Sequence, residues 1–341
     1  MRVLAVLLLG CLFLSRVCLE STRIDVIRPV YPRYTNRYGT LYGGRLAWWV
    51  LESGAMAAMR VSRGYVVLGS IDYLFILSPV HVGEFLYIYS WVIGSTRHTL
   101  DVLSYAEARG LGGGVRPVSL SVQTYVSVDD RVRSREHGVE VDACSLEARP
   151  LLDIHEEWLG ERQRLIESSR GLRGDVGRLE VPYRVETYTM VLPDSTFSLP
   201  RVLDATKFFY IIDEVGALTA MRATGSPVVT ASFDAAVFVS PAFVGDLLRV
   251  EAGVTGVGRT SLEVLLKVVA ENPLEGRVNT MAQLYMVLVS IGPDGRPAPP
   301  RRRPVVPDHL QREYEERRVI RQARRRRVEE LLELARGLVP G

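Results

Sequence analysis

The sequence predicts an α+β protein built from two tandem copies of one domain, each a central helix wrapped by an antiparallel sheet. Two observations predict it. The 341-residue chain repeats itself without a gap at a spacing of 162, and 21 of the 54 residues from 51 to 104 are identical to their partners in 213–266, against roughly one in fifteen expected from average composition. In each copy, an apolar segment of helical length precedes four Val-, Ile- and Leu-rich segments separated by turn signals.

Composition and the repeat divide the chain into five segments. These are an apolar N-terminal extension (1–20), the first unit (21–130), a charged linker with a helix (131–180), the second unit (181–295) and a Pro-led, Arg-rich C-terminal helix (296–341). Both units have an ordinary domain size. The linker sequence RPLLDIHEEWLGERQRL loosely resembles RPVVPDHLQREYEERRV near the C-terminus. We therefore expect each unit to end in a helix packed on its outside.

The individual elements follow from local patterns. Residues 34–44 are a Gly-rich loop, and residues 45–60 form a helix that is apolar on most faces, which is typical of a buried helix. A linker helix is predicted at 155–169. Strands are predicted at 65–77, 84–94, 97–107 and 118–128 in the first unit, and near 227–238, 246–256, 259–271 and 278–291 in the second.

The net charge of +3 conceals a basic segment. Residues 301–327 hold eleven Arg and four acids, a local charge of +7 (11 − 4), so the remainder of the chain carries −4 (3 − 7). We favour a solvated helix with salt bridges for this segment and predict no nucleic-acid partner. A surface that binds phosphates is the alternative, and it would show a steep salt dependence.

The cysteines and the N-terminus bear on the compartment. Cys11, Cys18 and Cys144 are an odd set without metal-ligand spacing, so we predict neither a disulfide framework nor a zinc site, and a reducing compartment. Residues 3–14 look like the core of a signal peptide but are too short to span a bilayer, and no clear cleavage site follows. We interpret them as a miscalled or uncleaved extension and predict a cytoplasmic protein without a membrane span; secretion is the alternative.

Asp213 is the leading candidate for a catalytic residue. It interrupts the apolar run 208–217, and a charge among apolar side chains is costly unless it is paired or has a chemical role. Its repeat partner is Leu51 (213 − 162 = 51). Because the sister copy carries Leu, the fold itself does not require a carboxylate there. A structurally paired buried acid is the alternative.

Three linked motifs resemble the hotdog-fold acyl-CoA thioesterases. They are the loop N-x-x-G-x-x-x-G-G at 36–44, the segment D-x-x-F-x-x-S-P-x-x-x-G-E at 72–84, and G-R-T-S-x-E-V at 258–264. Two such units in one chain resemble the tandem type typified by the brain acyl-CoA hydrolase. The resemblance implies two hotdog domains paired as an intrachain pseudo-dimer, hydrolysis of acyl-CoA to fatty acid and coenzyme A, and association as a homotrimer.

The resemblance also implies a composite site. In that family, an Asn on the loop of one unit works with an Asp on the helix of the other. These roles fall on Asn36 and Asp213, whose repeat partners are Ser198 and Leu51, so one junction is expected to be active and the other disabled. We hypothesise that Asp213 acts as a general base on a water that Asn36 helps to hold; direct nucleophilic attack by Asp213 is the alternative. Substrate-binding roles are implied for Gly43, Gly44, Thr206, Arg259, Thr260 and Ser261.

No metal or separate cofactor is expected, since coenzyme A is part of the substrate and the sequence contains no metal-ligand cluster or dinucleotide fingerprint. For residues 259–261, a plain hairpin turn with a solvated Arg is the alternative to phosphate binding. For the whole chain, the alternative is a non-catalytic acyl-CoA-binding or regulatory protein. The disabled junction and the basic tail are the observations in its favour.

Overall fold

The computed structural model describes residues 15–339, which form four α-helices and thirteen strands. The helices are α1 (Gly43–Ser62), α2 (Arg149–Ser168), α3 (Ala205–Thr224) and α4 (Asp308–Gly337). The strands of the first half are β1 (Ser15–Cys18), β2 (Ile24–Pro29), β3 (Tyr65–Ile76), β4 (Phe85–Ser95), β5 (Thr99–Arg109), β6 (Val115–Val128) and β7 (Val139–Asp142). Those of the second half are β8 (Val185–Met190), β9 (Val228–Phe233), β10 (Ala236–Val237), β11 (Leu247–Val257), β12 (Ser261–Asn272) and β13 (Arg277–Ser290).

The two units share one antiparallel sheet of eleven strands. Its order is β2-β4-β5-β6-β3 for the first unit and β9-β13-β12-β11-β8 for the second, with β10 paired to β3. Where the units meet, Leu74 lies opposite Phe233 and Ile71 lies opposite Ala236. The second pair is the repeat equivalent of the first, because Ala236 is the partner of Leu74 (74 + 162 = 236) and Phe233 is the partner of Ile71 (71 + 162 = 233). The units are therefore related by a pseudo-two-fold axis, as expected for two paired hotdog domains.

The central helices α1 and α3 pack against each other on one face of this sheet. Local sequence sets the bounds of α3. The side chain of Asp204 accepts a 2.7 Å hydrogen bond from the backbone N–H of Thr206 and caps the start. Gly225, with φ of +66°, ends the helix in the left-handed conformation that glycine adopts without strain. The apolar faces of both helices belong to the main hydrophobic core.

The helices α2 and α4 pack on the opposite face of the sheet, α2 mainly against β4 and α4 mainly against β11, and α4 also contacts β6 of the first unit. A Cβ on Gly94 would lie 2.1 Å from the ring of His155 in α2, and one on Gly256 would lie 2.1 Å from the ring of Tyr314 in α4. The two glycines are repeat partners (256 − 162 = 94). Glycine at this position lets the outer helix approach the strand closely, so both units carry an outer helix at the same place.

The arginines on the inner side of α4 make buried ion pairs. Arg321 donates to both carboxylate oxygens of Asp234, at 2.8 and 3.0 Å, and also contacts Glu263. Arg317 pairs with Glu263 at 2.8 Å, and Arg324 lies 3.5 Å from Asp72. Burial raises the pKa of Asp234 to about 6 even though Arg321 opposes the shift. Three arginines of the C-terminal segment, Arg317, Arg321 and Arg324, are therefore paired with acids of the sheet, while most of its other arginines are exposed.

The structure corrects the prediction about cysteines. Cys18 and Cys144 form a disulfide bond with their Cα atoms 5.4 Å apart. The parallel pairing of β1 with β7 brings the two segments together. These cysteines are 126 residues apart in sequence, and sequence spacing alone cannot reveal such a pairing. The prediction of no disulfide was therefore wrong.

Other differences concern short elements. The second-unit strand predicted near 227–238 is divided into β9 and β10, and the short strands β1, β2, β7 and β8 were not predicted. The apolar segment 3–14 lies outside the described residues. Among residues 15–339, no helix is long and apolar enough to cross a membrane.

Candidate active site

The carboxylate of Asp213 is buried at the junction of the two units, with 5% of the residue exposed. The backbone N–H of Gly44, at the start of α1 in the first unit, donates to Oδ2 at 2.8 Å. The hydroxyl of Thr230, on β9 of the second unit, donates to Oδ1 at 2.5 Å. Each unit therefore supplies one donor to the carboxylate. Two hydrogen bonds to an ionised oxygen pair favour the charged form and fix its orientation.

Two glycines make this contact possible. A Cβ on Gly44 would lie 2.6 Å from Cβ of Asp213, and one on Gly43 would lie 2.5 Å from Cβ of Thr230. No real side chain tolerates such distances without movement of the neighbours. Because Gly43 and Gly44 have no side chains, the N-terminus of α1 lies directly against the carboxylate. The free N–H groups and the helix dipole at this end of the helix favour negative charge.

The environment of Asp213 also tunes its acidity. Burial raises the pKa of its carboxyl to about 6, and the nearby charge of Glu214 acts in the same direction, while the hydrogen bonds from Thr230 and Gly44 oppose the shift. A carboxyl with a pKa of about 6 is ionised above neutral pH and is a better proton acceptor than an ordinary Asp.

Asn36 lies in the loop that precedes α1 and is half-buried. Its Nδ2 donates to Oγ1 of Thr40 at 2.8 Å, and its Oδ1 accepts from the backbone N–H of Tyr38 at 2.9 Å. Within the described part of the chain, these amide hydrogen bonds stay in the loop and do not reach Asp213. The loop continues directly into Gly43 and Gly44. The catalytic role of Asn36 stays a prediction.

The opposite junction has a different chemistry. The partners of Asp213 and Thr230 are Leu51 and Leu68 (230 − 162 = 68), so both polar groups are replaced by apolar side chains. The hydroxyl of Ser198, the partner of Asn36, donates to the backbone oxygen of Val66 at 2.8 Å. The N–H of Thr206, the partner of Gly44, is bound to the cap residue Asp204 of its own helix.

The turn at residues 259–261 lies between β11 and β12 and is covered by the C-terminal segment. Arg259 is exposed, and the backbone oxygen of Thr260 accepts a 2.7 Å hydrogen bond from the N–H of Ser290. The preceding Gly258 accepts from Arg303 at 3.2 Å. Ser261 begins β12 and is half-buried. The hydrogen bonds described for this turn do not connect it with Asp213, and its binding role stays a prediction.

Sequence reasoning missed Thr230. A Thr in a strand is ordinary, since β-branched residues favour sheets, and the residue belongs to none of the three motifs. The repeat nevertheless contains the signal. Thr230 is replaced by Leu68 in the first unit, just as Asp213 is replaced by Leu51. In the structure the two polar residues meet at one junction, and their apolar partners occupy the equivalent positions of the other.

Comparisons with known proteins agree with the repeat. The family model described as Thioesterase superfamily matches residues 38–111 and 207–276, one segment in each unit. The uncharacterized acyl-CoA thioester hydrolase YkhA of Bacillus subtilis (strain 168) is 33% identical over 102 residues, which are 30% of this chain and 58% of that protein. The cytosolic acyl coenzyme A thioester hydrolase of Mus musculus is 21% identical over 292 residues, which are 80% of this chain and 75% of that protein. The chain thus spans less than two thirds of the Bacillus protein.

A solved structure supports the fold over both units. An acyl-ACP thioesterase from Bacteroides thetaiotaomicron VPI-5482 superposes with a TM-score of 0.50 at 11% identity, and the match covers 80% of this chain and 100% of that one. At this identity the similarity shows the fold alone. Together with the pseudo-two-fold sheet, it shows a chain of two tandem hotdog units, and each unit contains one of the two segments that match the thioesterase superfamily model.

Proposed function

We propose that the chain is an acyl-CoA thioesterase with one composite active site between its units. The observation that carries the proposal is the buried carboxylate of Asp213, held by the N–H of Gly44 from the other unit. The names of the two relatives, both acyl-CoA thioester hydrolases, support the substrate class. The products are a free fatty acid and coenzyme A.

Thioester hydrolysis needs a nucleophile and donors for the oxyanion of the tetrahedral intermediate. In the proposed mechanism, Asp213 takes a proton from a water molecule as its oxygen attacks the thioester carbonyl. The C–S bond then breaks, and the proton held by Asp213 passes to the leaving thiolate. This cycle returns the carboxylate to its ionised form, and no cofactor takes part.

The start of α1 supplies the electrophilic side of the site. The N–H groups of its first turn point along the helix axis toward the junction, and the helix dipole favours the negative oxygen that develops there. We assign the backbone of Gly43 as an oxyanion donor, because Gly44 is engaged with Asp213. The Asn36 amide positions the attacking water. Direct attack by Asp213 through an anhydride is the rival mechanism, and only that route incorporates labelled oxygen from solvent into the carboxylate.

The opposite junction has no carboxylate at the position of Asp213. Leu51 and Leu68 occupy the positions of the carboxylate and of its hydroxyl donor, and neither can accept a proton. We therefore assign one catalytic site to each chain. The Arg-rich helix does not contribute to it, since its inner arginines pair with acids on the outer face of the sheet.

A panel of acyl-CoAs of increasing chain length tests the proposal. The purified protein is expected to release free thiol from at least one member, measured with a thiol reagent, with turnover proportional to enzyme concentration. Binding of acyl-CoA by calorimetry without thiol release at any chain length would instead establish the non-catalytic alternative.

A further inference from the structure

A cavity of about 270 Å³ lies between the two units. The first unit contributes residues 66–69 of β3 and the end of β6, and the second contributes residues 198–199 and 202–205 and Phe208 in the first turn of α3. Its size is close to the lower end of the range for small-molecule pockets. Because both units form its walls, the cavity exists only in the paired state.

The repeat identifies this place as the disabled junction. Among the lining residues, Ser198 is the partner of Asn36, Leu68 is the partner of Thr230, and Ala205 is the partner of Gly43 (205 − 162 = 43). The cavity therefore lies where a second active site would be, without the carboxylate and the hydroxyl that the working junction has. It can hold a ligand at this position but lacks the carboxylate that would activate a water molecule in the working junction.

Most of the wall is apolar. Aliphatic and aromatic side chains form it, including Val67, Val128, Val202, Leu203, Phe208 and Phe238. Burial of an aliphatic chain against such a wall is favourable, because it removes apolar surface from water. The cavity therefore suits a short aliphatic chain.

The polar groups at the wall select the end of the ligand. The hydroxyl of Ser198 is already engaged, since it donates to the backbone oxygen of Val66, and the N–H of Thr206 donates to Asp204. The group left for a ligand is the carboxylate of Asp204, which can accept further hydrogen bonds. Burial raises the pKa of Asp204, and the charge of Glu52 adds to this shift. Among the described residues, those lining the cavity include no Arg, Lys or His. A ligand carboxylate would find no counter-charge there and would face Asp204.

We propose that this cavity is a non-catalytic binding site for a neutral chain that carries an O–H or N–H group able to donate a hydrogen bond to Asp204. A fatty alcohol has this chemistry, and so does the amide-bearing pantetheine arm of an acyl-CoA. A free fatty acid does not. The site binds its ligand whether or not the other junction hydrolyses acyl-CoA, so its test uses binding and not turnover.

Calorimetric titration of 1-octanol at pH 8 tests the site with two filling variants. Ala205→Phe fills the cavity from the second unit and Val67→Phe from the first. Leu218→Phe, on an exposed part of α3, is the matched control. The filling variants are expected to bind one equivalent of octanol per chain fewer than the wild type and the control. If every folded filling variant binds as many equivalents as the wild type, the proposal is overturned.

The preference of the site for a neutral ligand is tested by comparing the affinities of octanol and octanoate. Octanoate is expected to bind the site at least about tenfold more weakly than octanol, and Asp204→Asn, which keeps a helix-capping side chain, is expected to reduce this difference. Equal affinity of octanol and octanoate in the wild type would refute the assigned ligand class. Pantetheine titrated in the same way shows whether the arm of an acyl-CoA can be the natural ligand. If the arm binds in the cavity, the filling variants bind one equivalent of pantetheine per chain fewer than the wild type.

A crystal of the wild-type protein provides a test that does not depend on any variant. Soaking with 8-bromo-1-octanol is expected to give an anomalous bromine peak in the cavity, with the hydroxyl within hydrogen-bonding distance of Asp204. An empty cavity at a concentration that saturates the protein in solution would contradict the proposal.

Discussion

The backbone N–H of Gly44 donates a 2.8 Å hydrogen bond to the carboxylate of Asp213 and joins the start of α1 in one unit to the middle of α3 in the other. The repeat partners Thr206 and Leu51 cannot form this bond, because Leu51 has no acceptor in its side chain and the N–H of Thr206 is bound to Asp204. One hydrogen bond thus distinguishes the two junctions. The predictions below follow from the residues around it.

The close approach at Gly44 predicts that Gly44→Ala is destabilising. Alanine normally favours a helix by up to about 1 kcal/mol over glycine, but here the added Cβ would lie 2.6 Å from Cβ of Asp213 and 3.0 Å from the backbone oxygen of Phe209. Overpacking of this kind costs about 1 to 3 kcal/mol, and we expect kcat to fall as well. Gly112→Ala, with open space around the Cβ, is the control. Equal melting temperatures for the two variants would contradict the prediction.

Removal of the Thr230 hydroxyl is expected to change the pH profile of kcat/KM. In the wild type, kcat/KM is expected to rise with pH as the carboxyl of Asp213, with its pKa of about 6, loses its proton. The hydrogen bond from Thr230 lowers this pKa, so Thr230→Val should move the rising limb to higher pH by about one unit, the equivalent of 1.4 kcal/mol. Thr230→Ser keeps the hydroxyl and should restore the wild-type limb. Superimposable profiles for all three proteins would exclude Thr230 from this role.

Replacement of Arg321, the buried arginine of α4, is expected to lower the stability of the protein strongly. Arg321→Met would leave Asp234 and Glu263 without their shared partner on the outer face of the sheet. Breaking a buried pair on one side costs about 3 to 5 kcal/mol, which equilibrium unfolding in urea can measure. Arg325→Met, at an exposed position on the same helix, should change the unfolding free energy by less than about 0.5 kcal/mol. Similar small changes for both would show that α4 is not docked by these pairs.

The trimer implied by the family resemblance is our proposal for the assembly. The strands β2 and β8 lie at the two ends of the sheet, and each exposes an apolar side chain, Ile27 and Met190, to about half of its area. Contact between two different surfaces closes into a ring when the rotation allows it. Sedimentation equilibrium at micromolar concentration should give three times the chain mass, and Ile27→Lys should lower it. A wild-type monomer would refute this assembly.

The sequence predicted the fold and singled out Asp213 because the repeat provides an internal comparison. Asp213 stands out only against Leu51, and the central helices and long strands show clear apolar patterns. The short edge strands β2 and β8, of six residues each, have few buried positions and leave a weak pattern. The Cys18–Cys144 bond depends on the distant pairing of β1 with β7. Likewise, Gly44 and Thr230 meet Asp213 only after folding, so their hydrogen bonds had no local signal.

The most direct test of the central claim is the rate of acyl-CoA hydrolysis by Asp213→Asn. Asparagine has nearly the same shape but cannot accept the proton, so kcat should fall by about two to four orders of magnitude while acyl-CoA still binds. Glu214→Gln is the matched control, because Glu214 is the adjacent, exposed carboxylate and its repeat partner in the first unit, Glu52, is also a Glu. It should retain most of the activity. A loss of less than about tenfold in Asp213→Asn, or an equal loss in both variants, would contradict the account.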